Sequence, residues 1–232
     1  MDKYKKGIIL LILCFLLVVL YNNKSKASGN IDLFNQIIRT SNSKIVENGI
    51  KVEYLSSEKK EDECKRVLNN LSLDNAEIRS LTSNDEFFYL EFDSKEIEGY
   101  IEGKKYDKKS NKIVINITEK ININDLKNLN SKVKIAIGNN TKESKQYQYV
   151  KAELSNNNLD EMNSKLAKEL KAGGATNIES LNINKGQFTV ANTYRYKPTI
   201  SNGKLVDFSY ALCNYSSGNY IIVGTPEIIT SY

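Results

Sequence analysis

The stretch NAEIRSL at residues 75–81 returns as ATNIESL at residues 175–181, with Ile, Ser and Leu at matching places. A helix-like stretch precedes each copy, at 58–73 and again at 157–174. Recurrence of a stretch together with its neighbours indicates a repeated structural unit. The sequence therefore predicts an internally duplicated fold whose two halves contain the same elements in the same order.

Each half is predicted to contain a strand, a helix and then four strands. Apolar residues recur at helical spacing in both helical stretches, and Gly173 or Gly174 is predicted to end the second helix in a left-handed conformation. The strands alternate between apolar and polar residues, which is typical of an antiparallel sheet with one buried face. The predicted strands are 49–56, 75–81, 86–92, 98–107 and 112–120 in the first half, and 146–155, 175–181, 186–194, 204–213 and 219–225 in the second.

Two further helices are predicted at 31–39 and at 124–139, and the second of them joins the halves. Helices gathered on one face of antiparallel sheets make an α+β fold. We therefore divide the chain into residues 1–27, a first repeat with the connecting helix at 28–144, and a second repeat at 145–232.

The first 27 residues have the pattern of a secretory signal. Three lysines precede an apolar run from Ile8 to Leu20, which is shorter than the roughly 20 residues that a spanning helix needs. Ser25 and Ala27 then give the small-x-small pattern of a cleavage site. Two outcomes remain open, cleavage after Ala27 or an uncleaved anchor at residues 7–21, and both predict an exported protein.

The composition excludes several kinds of chemistry. The chain has no histidine, which excludes Ser–His and Cys–His nucleophilic pairs and metal sites that depend on imidazole. The net charge of +5 falls to +1 without residues 1–27, because five lysines and one aspartate leave with them. Nucleic-acid binding needs a basic surface, so we do not expect a nucleic-acid partner. Cys64 and Cys213 either pair in an oxidising compartment or remain two buried thiols.

The chain ends in YIIVGTPEIITSY at residues 220–232. Pro226 cannot donate to a strand ladder, so the Gly-Thr-Pro step is predicted to end the last strand. An exported chain that ends this way, after LVDFSYALCNY at 205–215, resembles the YwmB family of Gram-positive bacteria. The residues that carry the resemblance are Val223, Gly224, Thr225, Pro226, Ile229, Thr230 and Tyr232.

The resemblance implies a duplicated α+β fold similar to that of the TATA-box-binding protein. It implies no activity, cofactor or catalytic residue, because none is assigned to the family. Aromatic strand residues could then be taken for the apolar wedges that kink DNA. We expect instead that they pack under the helices: Phe87, Tyr89, Phe208 and Tyr210.

One stretch, TYRYKPT at 193–199, interleaves aromatic and cationic side chains. Such side chains can hold a single nucleic-acid strand or a glycan. The alternative is a solvated loop whose rings lie on the sheet, because the second half is longer than the first at this point. The candidate ligand contacts are Tyr194, Arg195, Tyr196 and Lys197. We predict no catalytic, cofactor-binding or metal-binding residue.

Adjacent acidic residues occur three times along the chain. The pairs are Asp62 and Glu63, Asp85 and Glu86, and Asp160 and Glu161. Neighbouring side chains point apart on a helix, so no pair by itself predicts acid–base catalysis. The basic stretch GKKYDKKSNK at 103–112 is predicted to be a solvated hairpin turn, with anionic wall polymer as an alternative contact.

The expected function is that of an exported, non-enzymatic interaction or scaffold protein at the cell envelope. Its expected partner is an envelope protein or a cell-wall polymer, with membrane contact only through the N-terminal segment. Two alternatives stay open. One is a nucleic-acid binder that uses its sheet as the TATA-box-binding protein does, and the other is a cell-envelope enzyme built on carboxylates.

Overall fold

The computed structural model of the protein describes residues 31–73, 76–94, 96–120, 126–142, 144–155 and 158–228. The predicted leader at 1–27 lies outside the described residues, as do Ile229, Thr230 and Tyr232 of the C-terminal resemblance. None of the helices in the described ranges has the length and apolar character needed to cross a membrane.

The described residues form four α-helices, one short 3-10 helix and twelve strands, and their order confirms an α+β fold. The helices are α1 (Ile31–Thr40), α2 (Lys60–Leu71), α3 (Leu126–Ile137) and α4 (Leu159–Ala172), with a 3-10 helix at Gly138–Lys142. The first strands are β1 (Ser43–Ser56), β2 (Glu77–Ser83), β3 (Phe87–Asp93), β4 (Ile97–Lys105) and β5 (Asn111–Glu119). The others are β6 (Lys145–Leu154), β7 (Thr176–Ile183), β8 (Gly186–Asn192), β9 (Thr199–Ser201), β10 (Lys204–Val206), β11 (Phe208–Tyr215) and β12 (Gly218–Thr225).

Ten strands form one antiparallel sheet in the order β2-β3-β4-β5-β1-β6-β12-β11-β8-β7, and β9 and β10 form a separate hairpin. The strands β1 and β6 pair at the centre. Outward from that pair, the first half continues with β5, β4, β3 and β2, and the second half with β12, β11, β8 and β7. In each half the last strand lies next to the central pair, and the strand that follows the helix lies at the edge of the sheet. The two halves therefore have the same strand order.

The helices lie on one face of this sheet, and the core lies beneath them. In β1 the alternate residues Ile50, Val52 and Tyr54 are buried in the core that also contains Val67 and Leu71 of α2, because successive strand side chains point to opposite faces. Leu166 and Leu170 of α4 are buried in the same core. Each such side chain contributes about 1.5–3 kcal/mol when fully buried, so this face holds the fold together.

The helix boundaries agree with the sequence pattern to within two residues. Gly174 has a φ of +85° after α4 and Gly173 a φ of −75°, so Gly174 takes the predicted left-handed conformation. The Gly174 N–H donates to the Lys171 carbonyl at 3.1 Å, and the Ala175 N–H donates to the Leu170 carbonyl at 3.0 Å. These two hydrogen bonds are those of a Schellman motif.

Two strand predictions differ from the structure. The strand predicted to begin at 49 starts at Ser43, because β1 continues past an irregularity between Ile45 and Glu47 where it pairs with β6. The strand predicted at 204–213 is divided into β10 and β11. The division falls at Asp207, because β10 leaves the main sheet to pair with β9.

The Gly-Thr-Pro step ends β12 at Thr225, as predicted. After it the chain turns back over the sheet, so that a Cβ at Gly224 would lie 3.1 Å from the Ile228 Cα. A side chain at position 224 would therefore be crowded by the returning backbone, and glycine avoids this contact.

Candidate functional site: the open sheet face and two buried carboxylates

The sheet face opposite the helices carries a series of tyrosine side chains. Strand alternation and pairing place them on this open face, where each is partly exposed. The tyrosines are Tyr89, Tyr100, Tyr147, Tyr215 and Tyr220. We call this surface the open face.

The expectation that four aromatic residues pack under the helices is confirmed for Phe208 and Tyr210, which are fully buried in the core. It is wrong for Phe87 and Tyr89. They lie on the open face, opposite Lys104 and Glu102 of β4. In EFFYLEF both strand faces carry aromatic or apolar residues, so alternation alone does not determine which set is buried.

Lysine side chains lie over several of the tyrosine rings. The Lys51 Nζ is 5.9 Å from the Tyr147 ring centre, and the Lys151 Nζ is 5.6 Å from that of Tyr215 and 5.1 Å from that of Tyr220. These distances are those of cation–π contacts. One face of each of these three rings is therefore already in contact with a lysine.

Carboxylates outnumber lysines on the strands of the open face. At its centre Glu53 pairs with Lys51 and with Lys112, each at 2.8 Å. Burial opposes the charge on Glu53, but the hydrogen bonds from Lys112 and Lys51 outweigh it and lower the pKa of this carboxyl. Pairing and alternation place the following charged residues on this face: Glu47, Glu53, Glu77, Glu91, Asp93, Glu98, Glu102, Glu153 and Glu179, with Lys44, Lys51, Lys104, Lys112, Lys145 and Lys151.

The half of the open face formed by β7, β8, β11 and β12 is more apolar. A small cluster is buried there, made of Tyr149, Ala211, Cys213 and Ile222. Ile183, Phe188, Tyr215 and Ile228 are partly buried against it. The open face therefore combines a charged half with a more apolar half, and tyrosines lie on both.

A buried carboxylate lies on the helix side, where the sequence analysis found no site. Glu63 of α2 is 2% exposed. Its Oε1 accepts from the Tyr54 hydroxyl at 2.7 Å and from the Asn140 side-chain amide at 3.1 Å. Arg66 donates to both oxygens, at 2.7 and 2.8 Å. All the partners together satisfy this carboxylate, as a buried charge requires.

The fold itself does not require a carboxylate at this position. The buried residues Glu63, Val67 and Leu71 of α2 have the same spacing as Met162, Leu166 and Leu170 of α4. The second half therefore has a methionine where the first half has Glu63. This alignment is the sequence signal that could have identified Glu63 as a core position.

The hydrogen-bond partners of Glu63 shift its titration. The hydrogen bonds from Arg66 lower its pKa, burial opposes them, and the Tyr54 hydroxyl assists them. Burial and the bond to Glu63 together raise the pKa of Tyr54. The cluster is thus an ionised carboxylate held by a neutral phenol and a guanidinium. Beside it lies an open depression of about 580 Å³, lined among others by Ser57, Asp62 and Asn139.

A second buried carboxylate, Asp207, lies between β10 and β11 and is fully buried. Its Oδ1 accepts from the Thr193 N–H at 2.6 Å, and its Oδ2 accepts from the N–H groups of Arg195 at 2.9 Å and Tyr196 at 3.0 Å. Its own carbonyl accepts from the Thr225 hydroxyl at 2.8 Å. Asp207 therefore fixes the loop that follows β8 and joins it to the end of β12.

The four candidate ligand contacts do not converge on one ligand. Tyr196 packs inward, with its ring 6.0 Å from that of Phe34 and 6.3 Å from that of Phe208. Tyr194 points outward and is 63% exposed. Lys197 is exposed and Arg195 is half-buried. Asp207, which the sequence pattern did not single out, holds the backbone N–H groups of two of the four, Arg195 and Tyr196.

The acidic pairs lie on separate elements. Glu63 belongs to the buried cluster, whereas Asp62 is exposed. Asp85 and Glu86 lie in the turn before β3, and Asp160 and Glu161 in the first turn of α4. Within the described ranges no group of three or more Cys, Asp or Glu side chains could hold a metal ion.

The two cysteines of the described chain are free and buried. Cys64 lies in the core under α2, and Cys213 lies in the cluster on the open face. Burial, with a smaller contribution from Glu63 and Glu102, raises the pKa of Cys64 to about 12, so this thiol stays protonated and unreactive. The expectation of two buried thiols is confirmed, and that of a disulfide is wrong.

A scan against protein-family models and a search of curated proteins return no match for this chain.

Proposed function

We propose that this protein is exported and acts at the cell envelope by binding another protein through the open face, without catalysing a reaction. The single observation that carries the proposal is the open face itself. It is a wide antiparallel surface, the helices of the described chain all lie on its other side, and it presents partly exposed tyrosines next to an apolar cluster. Exposed surfaces of this kind mark interaction sites, and tyrosine is enriched in them.

The charges and rings of the open face favour a protein over the other partners considered. The lysines of the face are interspersed with carboxylates and several are ion-paired with them, so the described face lacks the basic excess that binding the phosphates of nucleic acid or of anionic wall polymers needs. A glycan would stack on free ring faces, but Lys51 and Lys151 already contact one face of each of three tyrosine rings. A protein surface with apolar and basic side chains complements what remains.

The carboxylate-enzyme alternative receives less support. A general acid or base must reach a substrate proton, whereas Glu63 and Asp207 are buried and hydrogen-bonded within the protein. The remaining acidic pairs lie apart from one another.

We also propose that the two halves are copies, and that the chain is a member of the YwmB family with a fold like that of the TATA-box-binding protein. The equal strand order of the halves supports duplication. So does the equal spacing of buried residues in α2 and α4. Export and an envelope location follow from the leader pattern of residues 1–27.

Site-specific photo-crosslinking of the full chain in intact cells tests the binding surface. A photoreactive amino acid replaces Tyr100 on the open face, and in a matched control it replaces Ile135 on α3, which is 72% exposed. We expect a discrete protein adduct from position 100 and none from position 135. An adduct only from position 135, or none from either position, would contradict the proposal.

A titration with labelled AT-rich duplex at two salt concentrations tests the nucleic-acid alternative. We expect an affinity no better than the non-specific range, roughly 10⁻⁴ to 10⁻⁶ M at physiological salt. Sub-micromolar binding with a steep salt dependence would make nucleic acid the better-supported partner.

A further inference from the structure

A small hairpin in the second half, separate from the main sheet, exposes large apolar side chains. It consists of β9 and β10, which have no equivalent among the described strands of the first half. Ile200 and Leu205 lie opposite each other in this hairpin and are 72% and 49% exposed. Tyr194, on the loop that leads to the hairpin, is 63% exposed. Such a concentration of exposed apolar surface on one element indicates a contact surface.

The same segment is basic. Residues 193–206 include Arg195, Lys197 and Lys204 and contain no acidic residue. The next carboxylate along the chain, Asp207, is buried and accepts hydrogen bonds from the loop. Lys204 contacts Glu179 of β7. Lys197 is exposed and makes no ion pair within the described part of the chain.

The hairpin has a fixed shape. Its turn residues Asn202 and Gly203 both have positive φ, 49° and 76°, as a type I′ turn requires. The Asn177 side-chain amide of β7 donates to the Leu205 carbonyl at 2.9 Å. Asp207 fixes the loop at the other end. A contact surface that is ordered before binding loses little conformational entropy on binding.

We propose that this hairpin inserts into the interface of a membrane that carries anionic lipids. Ile200 and Leu205 would enter the boundary between headgroups and acyl chains, and Tyr194 would lie at the headgroup level, where tyrosine is enriched. Lys197 and Arg195 would lie over the negative headgroups. This contact goes beyond the protein-binding role of the open face, and it is separate from the N-terminal segment.

The charge of the segment is the reason to choose a lipid surface over a protein groove. A groove for an apolar tip needs complementary shape and has no general need for cations. A surface of anionic headgroups attracts a stretch that has cations and no acidic residue, and it accommodates an apolar tip of any shape.

Fluorescence of the full chain with lipid vesicles tests the proposal. Cys14 is replaced by serine, and Ile200→Cys adds one accessible cysteine that carries an environment-sensitive dye, because Cys64 and Cys213 are buried. The matched control carries the dye at Ile135→Cys on α3, in the same chain with the same leader. The vesicles are phosphatidylcholine alone or phosphatidylcholine mixed with phosphatidylglycerol, each with a bromine-labelled lipid as quencher.

We expect a blue shift and lipid quenching at position 200 in the anionic vesicles, and neither effect at position 135. In the same assay Lys197→Gln should lower the ratio of inserted to free dye roughly fivefold, because one surface cation is lost. The absence of a blue shift and of quenching at position 200 would overturn the proposal. Insertion into neutral vesicles equal to that into anionic vesicles would also overturn it. Protection of position 200 only after addition of purified envelope proteins would assign the hairpin to a protein partner instead.

Discussion

Gly49 of β1 lies directly opposite Tyr149 of β6, and the tyrosine ring occupies the space that a side chain at position 49 would take. A Cβ at Gly49 would lie 1.8 Å from the Tyr149 Cε1. The Tyr149 hydroxyl donates to the Glu47 carboxylate at 2.5 Å, which holds the ring in place. This pair lies where the two halves meet, on the open face of the sheet.

We expect Gly49→Ala to destabilise the protein by about 1–3 kcal/mol, because the methyl group and the ring cannot occupy the same space. In a Tyr149→Ala background the same substitution should change the free energy of unfolding by less than about 0.5 kcal/mol. Urea unfolding of the four proteins of this double-mutant cycle measures the coupling. Additive effects would show that the ring moves aside without cost.

The end of α4 gives a second stability prediction with a built-in control. We expect Gly174→Ala to cost on the order of 1 kcal/mol, because Gly174 has a φ of +85° and alanine is strained there. Gly173→Ala should be close to neutral, because Gly173 has a φ of −75°. Thermal unfolding of the two variants checks this. A larger effect at position 173 than at 174 would mean that the helix ends elsewhere.

The Glu63 cluster predicts a pH dependence. The pKa of Glu63 is lowered from its ordinary value of 4.5, so its contribution to stability is fully present above about pH 5 and is lost as the pH falls through the folded-state pKa. Glu63→Gln should lower the free energy of unfolding by about 2 kcal/mol at pH 7. The loss is smaller than for a fully buried ion pair, because Arg66 is partly exposed and solvent weakens its attraction to Glu63. Urea unfolding at several pH values should show the difference in unfolding free energy between Glu63→Gln and the original protein narrowing below about pH 5.

A matched variant separates charge from packing at the same site. Tyr54→Leu with Glu63→Met introduces the leucine and methionine that the second half has at Leu154 and Met162. We expect this double variant to be more stable than the sum of the two single changes predicts, because apolar side chains replace both members of the pair. Simple additivity would show that Tyr54 and Glu63 are not coupled.

The sequence predicted the parts of the fold that depend on local pattern. Helix positions, alternating strands and the left-handed Gly174 all follow from periodicity and from the backbone needs of glycine. The side of the sheet on which Phe87 and Tyr89 lie did not follow, because β3 has aromatic or apolar residues on both faces. Only its pairing with β4, which is a contact between distant residues, determines the buried set.

The buried carboxylates were harder to predict for a different reason. Asp207 accepts from backbone N–H groups more than ten residues earlier in the chain, and backbone donors leave no trace in a sequence. Glu63 stands beside the exposed Asp62 in a charged first turn, which is typical of a solvated helix surface. Its spacing to Val67 and Leu71 was the available signal.

Export is the prediction that concerns residues 1–27. We expect replacement of Leu16 and Leu17 by aspartate to keep the protein in the cytoplasm, because a charge in the centre of an apolar segment costs about 3 kcal/mol on insertion. Fractionation of cells that express a tagged full chain measures this, with Leu16→Ala and Leu17→Ala together as the control. Unchanged export of the aspartate variant would contradict the assignment of the leader.

The loop that leads to the hairpin of β9 and β10 depends on Asp207. We expect Asp207→Ala to cost about 3 kcal/mol, because the N–H groups of Thr193, Arg195 and Tyr196 lose a charged acceptor in a buried place. Asp207→Asn keeps one oxygen acceptor and should cost less. In the Asp207→Ala variant the rate of hydrogen exchange, relative to that of the original protein, should rise more at the Arg195 and Tyr196 amides than at other amides of the chain.

Asp107 provides the control for Asp207, because its carboxylate accepts from two N–H groups in the exposed turn between β4 and β5. Those N–H groups can hydrogen-bond to water when the carboxylate is removed, so Asp107→Ala should lower the free energy of unfolding by less than about 1 kcal/mol. Urea unfolding of both alanine variants compares the two sites directly. Equal losses of stability in the two alanine variants would show that the Asp207 carboxylate does not hold the loop. In that case a dye at position 200 should respond to lipid vesicles equally in the Asp207→Ala variant and in the protein that keeps Asp207.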